Sequence, residues 1–133
     1  MTSGVRILVV DDVSANLNLL ADVLEQEGYE VLAAPSGTIA LTILSDIAVD
    51  LIMMDIKMPG LDGIATCRQL LATQSEPPPI IFISGGNQEE QLSDAFSAGG
   101  VDYISKPFLN AEIVARVNNH LTISKLQRDL RQR

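Results

Sequence analysis

The segment Asp50-Leu51-Ile52-Met53-Met54-Asp55 runs straight into Ile56-Lys57-Met58-Pro59-Gly60-Leu61-Asp62-Gly63. Four apolar residues between two aspartates, stopped by a Pro-Gly turn, are too few for a helix and predict a strand buried on both faces. Asp55 then lies at the carboxyl end of a central strand. In open α/β sheets ligands bind in the crevice outside those ends, where a carboxylate can do chemistry. The bland alternative is that Asp55 only starts the turn, a position Asp favours for its side-chain hydrogen bonds to the backbone. The segment alone leaves both readings open.

Outward from this segment, strand-like and helix-like patterns alternate. Residues 5–10 (Val-Arg-Ile-Leu-Val-Val) form a β-branched run ending in Asp11-Asp12 and predict a first strand. Residues 14–27 carry Leu19, Leu20, Val23 and Leu24 at helical spacing before Gly28, with Leu17 at the edge of the stripe, where a partner could meet it. A second strand is expected over 29–34. The next helix spans 36–45, with Ser36 as cap and Ile39, Ala40, Ile43 and Leu44 inward. Downstream, 64–72 predicts a short helix with Cys67 and Leu71 on one face, and Pro77-Pro78-Pro79 a rigid connector into a strand over 80–84. Asn87 with Glu90 resembles a capping box opening a helix that ends at Gly99-Gly100. A fifth strand over 101–105 leads to Lys106-Pro107. Asn110 is expected to cap a last helix that buries Ile113, Val114, Val117 and Leu121. Five strands alternating with five helices define an α/β, doubly wound, parallel sheet covered on both faces.

A chain of 133 residues is one domain by size, and 47% hydrophobic with 20% charged residues is an ordinary globular composition. No apolar run reaches membrane-spanning length and no signal-peptide core precedes the first strand, so a cytoplasmic location without membrane contact is expected. The single Cys67 and single His120 exclude an internal disulfide and a zinc cluster. The net charge of −8 is uneven: residues 1–124 carry −11 and residues 125–133 carry +3. An acidic body disfavours phosphate contacts, so no direct nucleic-acid binding is expected.

Parallel strands gather the residues that close strands one, three, four and five at one edge: Asp11 and Asp12, Asp55, Ser84 and Lys106. Carboxylates roughly 5 Å apart repel by about 3 kcal/mol per pair at an effective dielectric near 20, so positive charge belongs among them. Lys106 supplies one charge. A hard divalent cation with oxygen ligands supplies another, and magnesium suits carboxylates that also meet phosphate oxygens. A carboxylate so placed can act as a nucleophile toward phosphorus, giving an aspartyl phosphate.

With Val9-Val10-Asp11-Asp12, Asp55 through Gly63, Ser84, and Asp102-Tyr103-Ile104-Ser105-Lys106-Pro107-Phe108 in this order, residues 5 to about 123 resemble a receiver domain of the two-component response-regulator family. The resemblance implies a CheY-like, flavodoxin-like strand order 2-1-3-4-5. It makes Asp55 the phosphoacceptor, Asp12 a direct magnesium ligand, Asp11 a ligand mainly through water, and the backbone carbonyl of Lys57 a further ligand. Ser84, in place of the commoner Thr, and Lys106 match the positions that bind phosphoryl oxygens, Lys106-Pro107 a peptide that is usually cis, and Tyr103 the aromatic switch position. Lys57 and Gly86 stand where the family tunes phosphoryl lifetime. The implied partners are a histidine kinase or histidine phosphotransfer protein and an output domain or effector, with output from the face made by helix 4, strand 5 and helix 5.

Bland readings cover several other residues. Met53, Met54 and Met58 fill core space, Cys67 is a small buried hydrophobe, His120 is structural or exposed, and Asp62 and Gly63 serve a turn. Residues 1–123 are expected to form the receiver and 124–133 a helical extension or linker. Ile123, Leu126 and Leu130 form a stripe displaced from the core-facing one, and the bases Lys125, Arg128, Arg131 and Arg133 seek an acidic surface, which points to a homodimer over a frayed tail. Three competing functions fit less well. In a flavin-binding domain Asp11-Asp12-Val13-Ser14 would repel the cofactor phosphate. An aspartate-dependent phosphatase wants a second Asp where Lys57 stands, and a binding-only pseudo-receiver normally lacks part of the cluster.

Overall fold

The computed structural model describes residues 4–85 and 89–132. Its elements alternate strictly: β1 (Arg6–Val10), α1 (Ser14–Gln26), β2 (Glu30–Ala34), α2 (Gly37–Asp46), β3 (Leu51–Asp55), α3 (Gly63–Thr73), β4 (Ile80–Ser84), α4 (Glu89–Ala98), β5 (Asp102–Ser105) and α5 (Asn110–Arg131). All four strand pairings are parallel, in the order β2-β1-β3-β4-β5, as the resemblance implied.

The unbroken apolar runs of the central strands have a simple cause. Successive side chains point to opposite faces, and both faces are covered. Leu8, Val10, Ile52, Met54, Ile80 and Phe82 pack toward α2, α3 and α4, whereas Ile7, Val9, Leu51, Met53, Ile81 and Ile83 pack toward α1 and α5. Met53, Met54 and Met58 are buried as expected. The third proline of the connector also serves the sheet, since the Pro79 carbonyl accepts from the Ile52 N–H at 2.9 Å.

Differences from the sequence reading lie on helix faces and ends. Leu19 and Ile39, expected inward, are 41% and 44% exposed, and Leu17 packs against the core where Leu19 was expected to. Each exposed residue directly precedes a buried one, Leu20 and Ala40, and falls just outside the stripe that faces the sheet. Ser36 does cap α2, accepting from the Ile39 N–H at 3.1 Å. Asp62 serves as more than a turn residue: its Oδ1 accepts from the Ala65 N–H at 2.8 Å and caps α3. Asn110 is not the cap of α5; it is the first helical residue, because the Leu109 carbonyl already accepts from the Ile113 N–H at 3.1 Å. The capping box expected at Asn87 lies outside the described residues.

Helix α5 continues without a break to Arg131, past the last residue that touches the core. Ile123, Leu126 and Leu130 on this extension are exposed. Two of its bases meet acids of the same chain: Arg128 Nη1 stands 4.0 Å from Asp50 Oδ1 and Arg131 Nε 3.3 Å from Glu76 Oε1. Ion pairs this exposed add little stability.

One close approach fixes the loop after β3. A Cβ on Gly63 would lie 2.2 Å from the Asp55 carbonyl oxygen and 2.9 Å from Ile56 Cα, both backbone atoms that cannot swing aside. The Gly63 N–H also donates to the Ile56 carbonyl at 2.8 Å, tying the start of α3 to the end of β3. Gly63→Ala should therefore cost about 1–3 kcal/mol, the usual range for forced overpacking. Chemical denaturation of the variant measures this, and unchanged stability would mean the contact relaxes.

Candidate functional site

Strand register builds the site. Val10 is level with Met54, so the next residues on the adjacent strands β1 and β3 are Asp11 and Asp55. Asp55 pairs with Ile83 across β3 and β4, the following Ser84 pairs with Ser105, and Lys106 comes next. Asp11 is fully buried and Asp55 is 4% exposed, whereas Asp12 is open to solvent. One carboxylate oxygen from each of Asp11, Asp12 and Asp55 lies within 4.8 Å of the other two. Lys106 Nζ sits 3.3 Å from Asp55 Oδ2 and 3.5 Å from Asp11 Oδ2, bridging the two buried acids.

Asp11 also organises the chain around it. Its Oδ1 accepts from the Val13 N–H at 2.9 Å and its Oδ2 from Asn16 Nδ2 at 3.2 Å. Val13 is the N-cap of α1 and has no side-chain oxygen, so Asp11, two residues earlier, secures that end of the helix instead. Both Asp11 oxygens are thereby engaged within the protein, while Asp12 offers its carboxylate outward.

Burial raises the Asp55 pKa above the ordinary 3.8, and the Asp11 charge adds to the rise against the opposing pull of Lys106. One ammonium therefore does not compensate this cluster fully. The oxygen-only donor set, with an exposed member and a mutual spacing under 5 Å, fits a hard cation such as magnesium or calcium and does not suit zinc. Lys57 follows β3 by two residues and is exposed. With Pro59, Asp62, Ile64, Gln91 and Asp94 it lines an open cleft of about 570 Å³ between the β3–α3 loop and α4.

Ser84 is 1% exposed, and its Oγ donates to Gln91 Oε1 at 2.8 Å. The half-buried Tyr103 hydroxyl reaches the same oxygen at 3.4 Å. The Lys106–Pro107 peptide is cis. Gly86 lies outside the described residues. His120 proves to be a structural residue: its Nε2 is 2.9 Å from Asp102 Oδ2, and Arg116 Nη1 grips the same carboxylate at 2.8 and 3.0 Å. Burial alone would raise the Asp102 pKa, but the Tyr103 N–H, Arg116 and His120 hold it below the ordinary carboxylate value. Cys67 is buried, and burial pushes its thiol up to about 11, which leaves it unreactive at neutral pH.

Two site-adjacent residues escaped the sequence reading, Asn16 and Gln91. Asn16 follows Asp11 by five residues and could have been suspected as a partner at the start of the helix. Gln91 has no sequence signal, because its contact with Ser84 and Tyr103 depends on where α4 lies over the sheet.

With this geometry in place, comparison with known proteins defines the class. Residues 7–118 match the response regulator receiver domain, and the chain belongs to that family. It is 40% identical over 116 residues to the transcriptional regulatory protein ResD of Bacillus subtilis, covering 87% of this chain and 48% of that protein. To the DNA-binding response regulator MtrA of Mycobacterium tuberculosis it is 37% identical over 116 residues, covering 87% and 50%. Among solved structures, a CheY-like receiver domain protein of Methanospirillum hungatei superposes with a TM-score of 0.87 at 27% identity, covering 92% of this chain and 98% of that one. NtrX of Brucella abortus gives 0.91 at 33% identity, covering 99% and 29%. The chain spans about half the length of the curated relatives it matches. No helix among the described residues is long and apolar enough to cross a membrane.

These relatives correct one expectation. The absence of direct nucleic-acid binding does not stand for the protein, because MtrA is named as DNA-binding and ResD as a transcriptional regulator. The charge argument failed because the −11 belongs to residues 1–124, and an acidic receiver says nothing about the half of those relatives that it does not match.

The raised Asp55 pKa has a stability consequence with a definite sign. Between 3.8 and the raised value the folded state binds the extra proton, so stability falls as pH rises through that window and the penalty persists at neutral pH. In metal-free buffer Asp55→Asn should therefore melt higher than the parent at pH 7. The difference should shrink as the pH approaches 3.8, and a difference independent of pH would refute the assignment.

Proposed function

We propose that this receiver accepts a phosphoryl group on Asp55 from a histidine kinase or histidine phosphotransfer protein, and that the change alters a downstream output. The single observation that carries the reading is the buried Asp55 carboxylate, 3.3 Å from Lys106 Nζ and clustered with Asp11 and Asp12. Asp55 Oδ attacks phosphorus, the P–N bond to the donor imidazole breaks as the O–P bond forms, and the imidazole leaves. Lys106, already beside the nucleophile, neutralises charge on the transferred oxygens. The Ser84 hydroxyl, at the end of the neighbouring strand, would donate to one of them on leaving Gln91. Asp12, Asp55 and the Lys57 carbonyl would hold magnesium directly and Asp11 through water, in keeping with the engaged oxygens of Asp11. Bound magnesium supplies the remaining charge neutralisation and orients the phosphoryl group. The domain catalyses its own phosphorylation and dephosphorylation and no turnover of another substrate.

For the protein as a whole we propose a cytoplasmic regulator whose output acts on DNA, in keeping with the names of its relatives. Residues 1–123 form the receiver and 124–133 the helical linker from α5 toward that output. Tyr103 is the aromatic switch residue in this scheme.

Incubation with acetyl phosphate and magnesium should add the mass of one phosphoryl group to the parent and none to Asp55→Asn. Equal labelling of the variant would place the acceptor elsewhere. Millimolar magnesium should raise the parent melting temperature by mass action on the folded state, and Asp12→Ala should abolish that rise. A rise that survives in Asp12→Ala would move the metal to another site.

A further inference from the structure

The geometry points to Gln91 as a positioning residue that keeps the Ser84 hydroxyl proton off the phosphoryl site before phosphorylation and then takes Tyr103 as its partner. This rests on the reading of Asp55 as phosphoacceptor. A serine hydroxyl has one proton to donate. In this structure that proton goes to Gln91 Oε1, at 2.8 Å, from a side chain 1% exposed. Donation to a phosphoryl oxygen on Asp55 therefore requires the Ser84–Gln91 bond to break. Gln91 Oε1 would then lose its nearer donor inside a half-buried environment, where an unsatisfied acceptor is costly.

The Tyr103 hydroxyl is already 3.4 Å from that oxygen, a long contact that can shorten when the serine leaves. One carbonyl oxygen thus serves two hydroxyls in turn, and exchange of its donor couples the phosphoryl site to Tyr103. Gln91 lies on α4 and lines the cleft beside Lys57 and Asp62, so the exchange takes place at the junction of the helix with the site.

The test uses the full chain with beryllofluoride and magnesium as the phosphoryl mimic, with affinity read by calorimetry and Tyr103 by its ring resonances. Gln91→Leu removes both the 2.8 Å bond that must break and the Tyr103 bond that replaces it, so beryllofluoride binding should tighten only about two- to threefold, part of the worth of one net hydrogen bond. It should also weaken the response of the Tyr103 ring. In a Ser84→Ala background the same substitution should leave affinity unchanged, because the hydroxyl it restrained is gone. Gln91→Met, unbranched and without a strong acceptor, should behave as Gln91→Leu does and serves if the leucine variant fails to fold.

Parental or weaker affinity in the folded variants, or the same gain in the Ser84→Ala background, overturns the inference while leaving Asp55 as acceptor. Beryllofluoride binding that persists in Asp55→Asn overturns the phosphoacceptor reading and this inference with it.

Discussion

The Lys106 ammonium between the Asp55 and Asp11 carboxylates is the constraint on which the upper edge of the sheet depends. Two buried acids on adjacent strands would be a defect in any fold that did not deliver a cation to them. The delivery is a matter of register: β5 pairs with β4 so that Ser105 stands opposite Ser84, and the next residue reaches across to β3 and β1. A slip of one residue in β5 would turn its side chains to the opposite faces, bury a different set and leave both acids without their lysine. The apolar pattern of Ile104 and its neighbours therefore fixes the electrostatics of residues more than forty positions away in sequence.

That dependence explains why the fold and the acidic cluster could be read from the chain while other features could not. Residues at the carboxyl ends of parallel strands are brought together by topology alone, so Asp11, Asp12, Asp55, Ser84 and Lys106 could be grouped from sequence order. Helix faces are less determinate. Leu19 and Leu17 on α1 both fit a loose apolar stripe, and only packing against the sheet decides that Leu17 turns toward the core. Asp62 illustrates a different ambiguity, since the chemistry that favours Asp in turns also favours it as a helix cap, and here the side chain caps α3. Asn110 looked like a cap by the same rule, yet the backbone starts the helix one residue sooner.

The contrast between α5 and α4 shows how the sheet holds its helices. α5 is secured by buried Ile113 and Val117 and by Asp102 on β5, whose carboxylate binds both Arg116 and His120. Strand β5 and helix α5 are thereby joined by apolar and charge-assisted contacts, the stronger class of hydrogen bond. The lowered Asp102 pKa is the electrostatic mark of that join. Tyr103 is the next residue along the strand, so its backbone is held while its side chain reaches toward α4.

α4 is held differently. Among the described residues it buries only Ala95 and Ala98, small side chains that lose little by a shift, while Leu92 and Phe96 are 37% and 47% exposed. Its remaining described link to the site is polar, through Gln91 to Ser84 and Tyr103. Segments with few buried apolar contacts sit at the low end of local stability, and elements that move in regulation are drawn from that end. Among the described residues α4 is held by two buried alanines, by the Cys67 thiol on the Ala98 carbonyl and by one shared amide oxygen, whereas moving α5 would require breaking the Asp102 pairs and unpacking the core. On the proposed reading of Asp55 as acceptor, this difference in anchoring favours a response that runs through Ser84 and Gln91 toward α4, against the more firmly packed β5 and α5.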